Sequence, residues 1–89
     1  MVEREIEIIN RLGLHARAAA KLVHLTGRFK SRITLSANGE VVDGKSILGI
    51  LLLAAAQGTR LTVSCEGADE AEALEALGGL IADRFGEES

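Results

Sequence analysis

Polar and apolar residues alternate in several short stretches of the chain, which is the pattern of strands with one face in water. From Val2 to Ile9, isoleucines alternate with glutamates, and Arg32 to Ala37 alternates in the same way. Asn38-Gly39 is a strong two-residue hairpin signal, so Glu40 to Asp43 should pair back antiparallel. The stretch from Leu61 to Cys65 places apolar residues at every second position and predicts a further strand.

Helical spacing of apolar residues predicts three helices between and after these strands. The first runs from Ala16 to about Thr26, and the second is capped by Ser46 and ends at Gln57-Gly58. Asp69 and Glu72 form a capping-box-like pair before the last helix. The positions expected inward on the first and last helices are Ala19, Leu22, Val23, Thr26, Ala71, Leu74, Leu77, Gly78, Ile81 and Phe85.

The element order is therefore βαββαβα, and each strand has one apolar face. An antiparallel sheet covered on one side by helices satisfies this pattern, with its other face in water. This is an α+β fold, and 89 residues are enough for one such domain, residues 1–89. No run is apolar and long enough to span a bilayer, and the first residues are unlike a signal peptide.

Composition narrows the class of protein. Cys65 is the only cysteine, so no internal disulfide can form, and its place in an alternating strand predicts a small core residue in a cytosolic protein. The net charge is −3, and only Phe29 and Phe85 are aromatic. An acidic chain without a stacking surface is not typical of nucleic-acid binding.

The charge is unevenly distributed along the chain. Residues 1–65 contain nine basic and five acidic residues, a net +4, whereas residues 66–89 contain one basic and eight acidic residues, a net −7. Arg11, Arg17, Lys21 and Lys45 lie in or near the turns before the first two helices. A positive surface there would favour an anionic group or an acidic partner.

His15 is the candidate catalytic residue. Gly13 permits a tight bend, so His15 falls at or beside the N-cap of the first helix, where backbone N–H groups lack partners and the helix dipole is positive. A neutral imidazole is a nucleophile, and a phosphoryl group on it would meet the N–H groups of Ala16 and Arg17 and the Arg17 guanidinium. The alternative is a solvated turn histidine beside an ordinary surface arginine.

Residues 39–46 match the G-x-x-x-x-G-K-S pattern of a nucleotide-binding phosphate loop. We reject this interpretation because Gly39 belongs to the hairpin and Val41-Val42 suit a strand. His24 has no ligand spacing to His15 or to Cys65, so we expect it to face solvent, and no metal site is predicted.

Ser46 is an N-cap candidate, and a phosphate added there would be stabilised by the helix N-terminus. The helix that follows is apolar on all sides, and one sheet face cannot bury all of it. If Ile50 and Leu53 point inward, an exposed apolar patch remains, which is typical of a protein docking surface. The alternative is a helix that is more deeply covered. The outward residues are Ile47, Leu48 and Leu51.

Two segments resemble the signatures of a known family. Residues 13–17 with 19–22, Gly-Leu-His-Ala-Arg and Ala-Ala-Lys-Leu, are similar to the active-site signature of HPr, the histidine phosphocarrier of the phosphoenolpyruvate-dependent phosphotransferase system. Residues 45–49 with 57–59 resemble its second signature, and the resemblance extends over essentially the whole chain. It implies an open-faced β-sandwich, with a four-stranded antiparallel sheet and three helices on one face.

The resemblance also implies roles for individual residues. His15 would accept a phosphoryl group on Nδ1 from phosphorylated enzyme I and pass it to a IIA-type protein, and Arg17 would steady that group. Ser46 matches the regulatory serine, whose modifying partner would be HPr kinase/phosphorylase, and Ile47, Leu48 and Leu51 match the docking helix. We therefore expect a monomeric phosphoryl carrier without a cofactor, acting in a chain of transfers and not as a stand-alone enzyme.

Ala18 departs from the family pattern, because proline commonly follows the arginine. Losing that proline should cost about 0.4–1 kcal/mol through the unfolded chain and loosen the turn, without removing a group that touches phosphate. Two alternatives stay open. The chain could serve the nitrogen-regulatory branch of the same system instead of sugar uptake, or it could be a non-catalytic regulatory module, which would be expected to lack His15.

Overall fold

A computed structural model describes all 89 residues and has the predicted order βαββαβα. The α+β fold, with a four-stranded antiparallel sheet and three helices, is confirmed. The elements are β1 (Val2–Glu7), α1 (Ala16–Thr26), β2 (Arg32–Ala37), β3 (Glu40–Asp43), α2 (Ile47–Leu53), β4 (Arg60–Glu66), α3 (Glu70–Ala82) and a 3₁₀ turn (Arg84–Gly86).

The sheet has the strand order β1-β4-β2-β3, and every neighbouring pair is antiparallel. The hairpin between β2 and β3 turns at Asn38 and Gly39, whose φ angles of 53° and 82° are both positive. Positive φ at both central residues is the requirement of a type I′ turn, which matches the twist of the flanking strands. The hairpin prediction is therefore confirmed.

The core lies between the sheet and the helices. Cys65 is fully buried there, and burial raises the pKa of its thiol, as expected of a core cysteine. The largest apolar side chains that are essentially inaccessible to solvent are Phe85, Ile8, Leu22, Ile33, Leu35, Ile50, Leu61, Leu77, Ile81 and Val63. The longest helix, α3, has 13 residues, too few to cross a bilayer, and none of the other helices comes closer.

The predicted end of α2 is wrong. The helix ends at Leu53, and Ala54 follows in the left-handed region with φ 51°. The segment beyond it pairs with another part of the chain, because the amide of Leu14 donates to the Ala55 carbonyl at 2.9 Å and the amide of Gly58 donates to the Ile8 carbonyl at 2.7 Å. These tertiary hydrogen bonds replace the helical turn that the alanines favour locally.

The capping-box interpretation of Asp69 is also wrong. Asp69 precedes α3, but its side chain makes no cap hydrogen bond. Its carboxylate instead accepts the backbone N–H groups of Lys30 and Ser31, each at 2.9 Å, and the Ser31 hydroxyl. Asp69 therefore joins the start of α3 to the connection between α1 and β2.

The last helix is shorter than its apolar pattern suggests. It ends at Ala82, and Phe85 is fully buried from a turn in which Arg84 and Phe85 have φ angles of 54° and 55°. Ala71, expected inward, is exposed, and Ala73 is buried in its place. The chain thus reverses after α3 and returns towards α1.

Candidate active site

The turn before α1 is held by contacts on two sides. Gly13 has φ 65°, and a Cβ there would lie only 2.4 Å from the Ala55 carbonyl oxygen, so this position requires glycine. The Asn10 side-chain amide donates to the Gly13 carbonyl at 2.8 Å. The turn is therefore fixed against the segment that follows α2.

His15 is the N-cap of α1, as the sequence predicts. Its backbone is extended, with φ −74° and ψ 177°, and its side chain makes no cap hydrogen bond. The amide of Ala19 makes the first helical bond, to the His15 carbonyl at 2.9 Å, and the N–H groups of residues 16–18 donate to no protein acceptor. The imidazole thus stands beside three unpaired N–H groups at the positive end of a helix dipole.

A carboxylate that the sequence did not point to completes the surroundings of His15. Nε2 of the imidazole is hydrogen-bonded to Oε2 of Glu87, and Oε1 of Glu87 accepts from the Asn10 side chain at 3.0 Å. These two hydrogen bonds lower the pKa of the Glu87 carboxyl, the one from His15 most strongly. The surroundings of His15 therefore include a carboxylate in addition to the positive helix start and the exposed Arg17.

The four basic residues singled out near the turns differ in their contacts. Lys21 donates from Nζ to the Phe85 carbonyl at 2.5 Å, and Lys45 to the Phe29 carbonyl at 2.6 Å. Arg11 and Arg17 are exposed, and neither side chain takes part in an ion pair or a hydrogen bond. Their guanidinium groups are thus the cations beside this turn that are available to an anion.

Ala18 is fully buried at the third position of α1, and its N–H donates to no acceptor. A proline there would remove no hydrogen bond. Alanine in place of the family's proline therefore changes the stiffness of the backbone but leaves the hydrogen-bond donors of the candidate site unchanged.

Ser46 caps α2, as predicted, and its hydroxyl oxygen accepts the amide of Gly49 at 3.1 Å. Ser46 shares no hydrogen bond with the turn around His15. Residues 40–43 form β3, so the phosphate-loop pattern does not form a phosphate loop. His24 is exposed, as expected, and no three potential metal ligands lie together.

An apolar patch covers the outer side of α2. Its predicted members Ile47, Leu48 and Leu51 are 44%, 65% and 38% exposed, while Ile50 and Leu53 are buried. The patch also includes Leu52, 70% exposed, which the sequence reasoning did not name, and Leu12 in the His15 turn is 60% exposed. Because the segment after α2 bonds to the His15 turn, the patch lies next to the candidate active site.

Comparison with known proteins decides the family. The family described as PTS HPr component phosphorylation site matches residues 2–83. The chain belongs to the HPr family. It is 54% identical over 87 residues, 98% of each chain, to the phosphocarrier protein HPr of Cupriavidus necator.

Solved HPr structures have the same fold. HPr-C-His from Thermoanaerobacter tengcongensis is similar over 100% of both chains, with a TM-score of 0.96 and 46% identity. An HPr dimer from the same organism is similar over 98% of this chain and 100% of its own, with a TM-score of 0.79. The chain is therefore a phosphocarrier protein of the phosphotransferase system, and relatives of this fold occur as dimers.

Proposed function

We propose that His15 accepts a phosphoryl group on Nδ1 from phosphorylated enzyme I and passes it to a IIA-type protein. The observation that carries this proposal is the state of the imidazole at the start of α1, where Nε2 is engaged by Glu87 and Nδ1 makes no hydrogen bond. The Nδ1 lone pair attacks phosphorus, and the bond from phosphorus to the donor breaks with its electron pair returning to the donor. Onward transfer reverses these steps on the acceptor.

The phosphoryl group on His15 is dianionic, so it needs donors. The unpaired N–H groups of Ala16 and Arg17 and the unpaired guanidinium of Arg17 provide them. No cofactor enters these steps. All 89 residues act as one phosphocarrier domain in the cytosol, and the monomer is the unit that reacts.

Partners dock on the apolar patch of α2, through Ile47, Leu48 and Leu51, beside the turn that presents His15. Arg11 and Arg17 are exposed cations, and they suit acidic surfaces on enzyme I and on IIA-type proteins. Phosphorylation of Ser46 by HPr kinase/phosphorylase would place negative charge at the start of the docking helix. That charge would oppose an acidic partner, which makes Ser46 a regulatory site.

The experiment for the transfer step uses the two histidines of the chain. Incubation with enzyme I and radiolabelled phosphoenolpyruvate should give one acid-labile phosphate per wild-type chain and per His24→Ala chain, and none on His15→Ala. Labelled His15→Ala protein would contradict the proposal, as would an unlabelled wild type. Adding purified IIA proteins of the sugar and nitrogen branches then shows which one removes the label.

The docking surface has a matched control, because Leu48 on α2 and Val41 on β3 are 65% and 71% exposed. Leu48→Asp should raise the KM of enzyme I for this protein by about tenfold or more, since apolar anchors dominate interface energies. Val41→Asp should leave the KM unchanged. Equal effects of the two substitutions would exclude α2 as the specific docking element.

A further inference from the structure

We propose that Glu87 is the positioning residue of the phosphoryl-acceptor site: it accepts the Nε2–H of His15 and thereby holds the imidazole with Nδ1 deprotonated and free to attack. This inference rests on the proposed function of His15. It adds a segment far along the chain, residues 83–89, to a site otherwise built from the turn before α1 and the first turn of that helix.

The segment that carries Glu87 is anchored on both sides. Phe85 is fully buried in the core, and its carbonyl accepts Lys21 Nζ from α1 at 2.5 Å. Arg84 and Phe85 both have positive φ angles, which bulky residues adopt only when the surrounding structure holds them. The carbonyl of Ser89 accepts the Arg11 amide at 3.1 Å, so the segment also bonds to the His15 turn.

The Glu87 side chain is oriented by two donors. Oε1 accepts from Asn10 at 3.0 Å, and Oε2 is left to accept from His15. Asn10 is fully buried, and its own Oδ1 has no hydrogen-bond partner. The buried amide therefore uses its donors to hold Glu87 and the Gly13 carbonyl, while its acceptor stays unsatisfied.

This geometry selects one imidazole tautomer. A carboxylate accepts hydrogen bonds and cannot donate, so the ring nitrogen facing it carries the proton and the other nitrogen keeps its lone pair. When Nδ1 gives that lone pair to phosphorus, Nε2 retains its proton and the ring becomes positively charged. The Glu87 carboxylate compensates this positive charge. When the electron pair of the N–P bond returns to Nδ1 on onward transfer, the ring becomes neutral again.

The direct test measures the tautomer of the unphosphorylated protein. Imidazole ¹⁵N shifts are recorded at about pH 8.5, where an ordinary histidine is neutral. In the wild type, His15 should be protonated on Nε2, and in Glu87→Ala it should shift towards the tautomer mixture of the exposed His24. Glu88 is an exposed neighbour without a side-chain contact, so Glu88→Ala should give the wild-type shifts.

Phosphorylation kinetics provide the second measurement. Glu87→Ala should lower the kcat of transfer from enzyme I by about tenfold, the usual scale for losing a residue that orients a histidine, with little change in KM. An unchanged His15 tautomer or an unchanged kcat in Glu87→Ala would overturn the role of Glu87. A wild type that takes no phosphate would contradict the proposed function instead, and the tautomer comparison would still decide what Glu87 does.

Discussion

Asp69 and Glu87 are two of the carboxylates that join distant parts of the chain. Each accepts hydrogen bonds from groups far away in sequence, and these bonds lower the pKa of both carboxyls. Glu87 lies beside the start of α1, at the candidate active site, whereas Asp69 lies beyond the end of α1 and binds the connection to β2. The Glu87 contact bears on the proposed reaction at His15, and the Asp69 contact bears on the stability of the fold.

The Asp69 contact predicts a pH-dependent contribution to stability. The Ser31 hydroxyl and the Lys30 amide are the largest causes of the lowered pKa, so the unfolded chain binds this proton at a higher pH than the folded protein. Asp69 therefore stabilises the fold above about pH 4, and that stabilisation is lost as the pH falls through the lower pKa of the folded state. Asp69→Asn should destabilise the protein at pH 7 and less at pH 3.

Urea unfolding of wild type and variant at both pH values checks this expectation. Asp83→Asn is the control, since that side chain caps no helix. If Asp69→Asn lowers the free energy of unfolding equally at pH 7 and pH 3, the ionised carboxylate is not what holds the connection.

At the scale of elements, the two adjacent glycines of α3, Gly78 and Gly79, differ in the space around them. A Cβ at Gly79 would meet nothing within 4 Å, whereas a Cβ at Gly78 would lie 3.0 Å from the guanidinium of Arg4, which also pairs with Glu75 at 3.7 Å. Gly79→Ala should therefore stabilise the protein by about 0.5–1 kcal/mol through helix propensity. Gly78→Ala should gain less, because the Arg4 side chain must move.

The urea unfolding midpoints of the wild type and the two variants are compared, and unchanged m-values show that a shifted midpoint reports a change in stability. An equal gain from both substitutions would show that Arg4 packing places no constraint on position 78. A loss of stability in Gly79→Ala would show that the outer side of α3 is not free.

The elements also show what the sequence alone could predict. Local patterns were sufficient for the four strands, the hairpin at Asn38-Gly39 and both ends of α1. The end of α2 was missed because alanines favour a helix locally, while hydrogen bonds to Leu14 and Ile8 redirect the chain. Such bonds have no signature in the local sequence.

The whole molecule brings the candidate site together from three places: the turn before α1, the segment after α2 and the last residues of the chain. His15, the helix start and the exposed apolar patch could be predicted from local spacing and from the family resemblance. Glu87 could not, because it is separated from His15 by 72 residues and follows a glycine in an acidic stretch without periodicity. Glu87 reaches His15 only because the chain turns back after α3.

The most direct measurement asks which imidazole nitrogen of His15 carries phosphate after reaction with enzyme I and phosphoenolpyruvate. ³¹P and ¹⁵N NMR of the phosphorylated protein distinguish the two isomers. We expect the phosphoryl group on Nδ1, with Nε2 still facing Glu87. Phosphate on Nε2, or on any residue other than His15, would contradict the account.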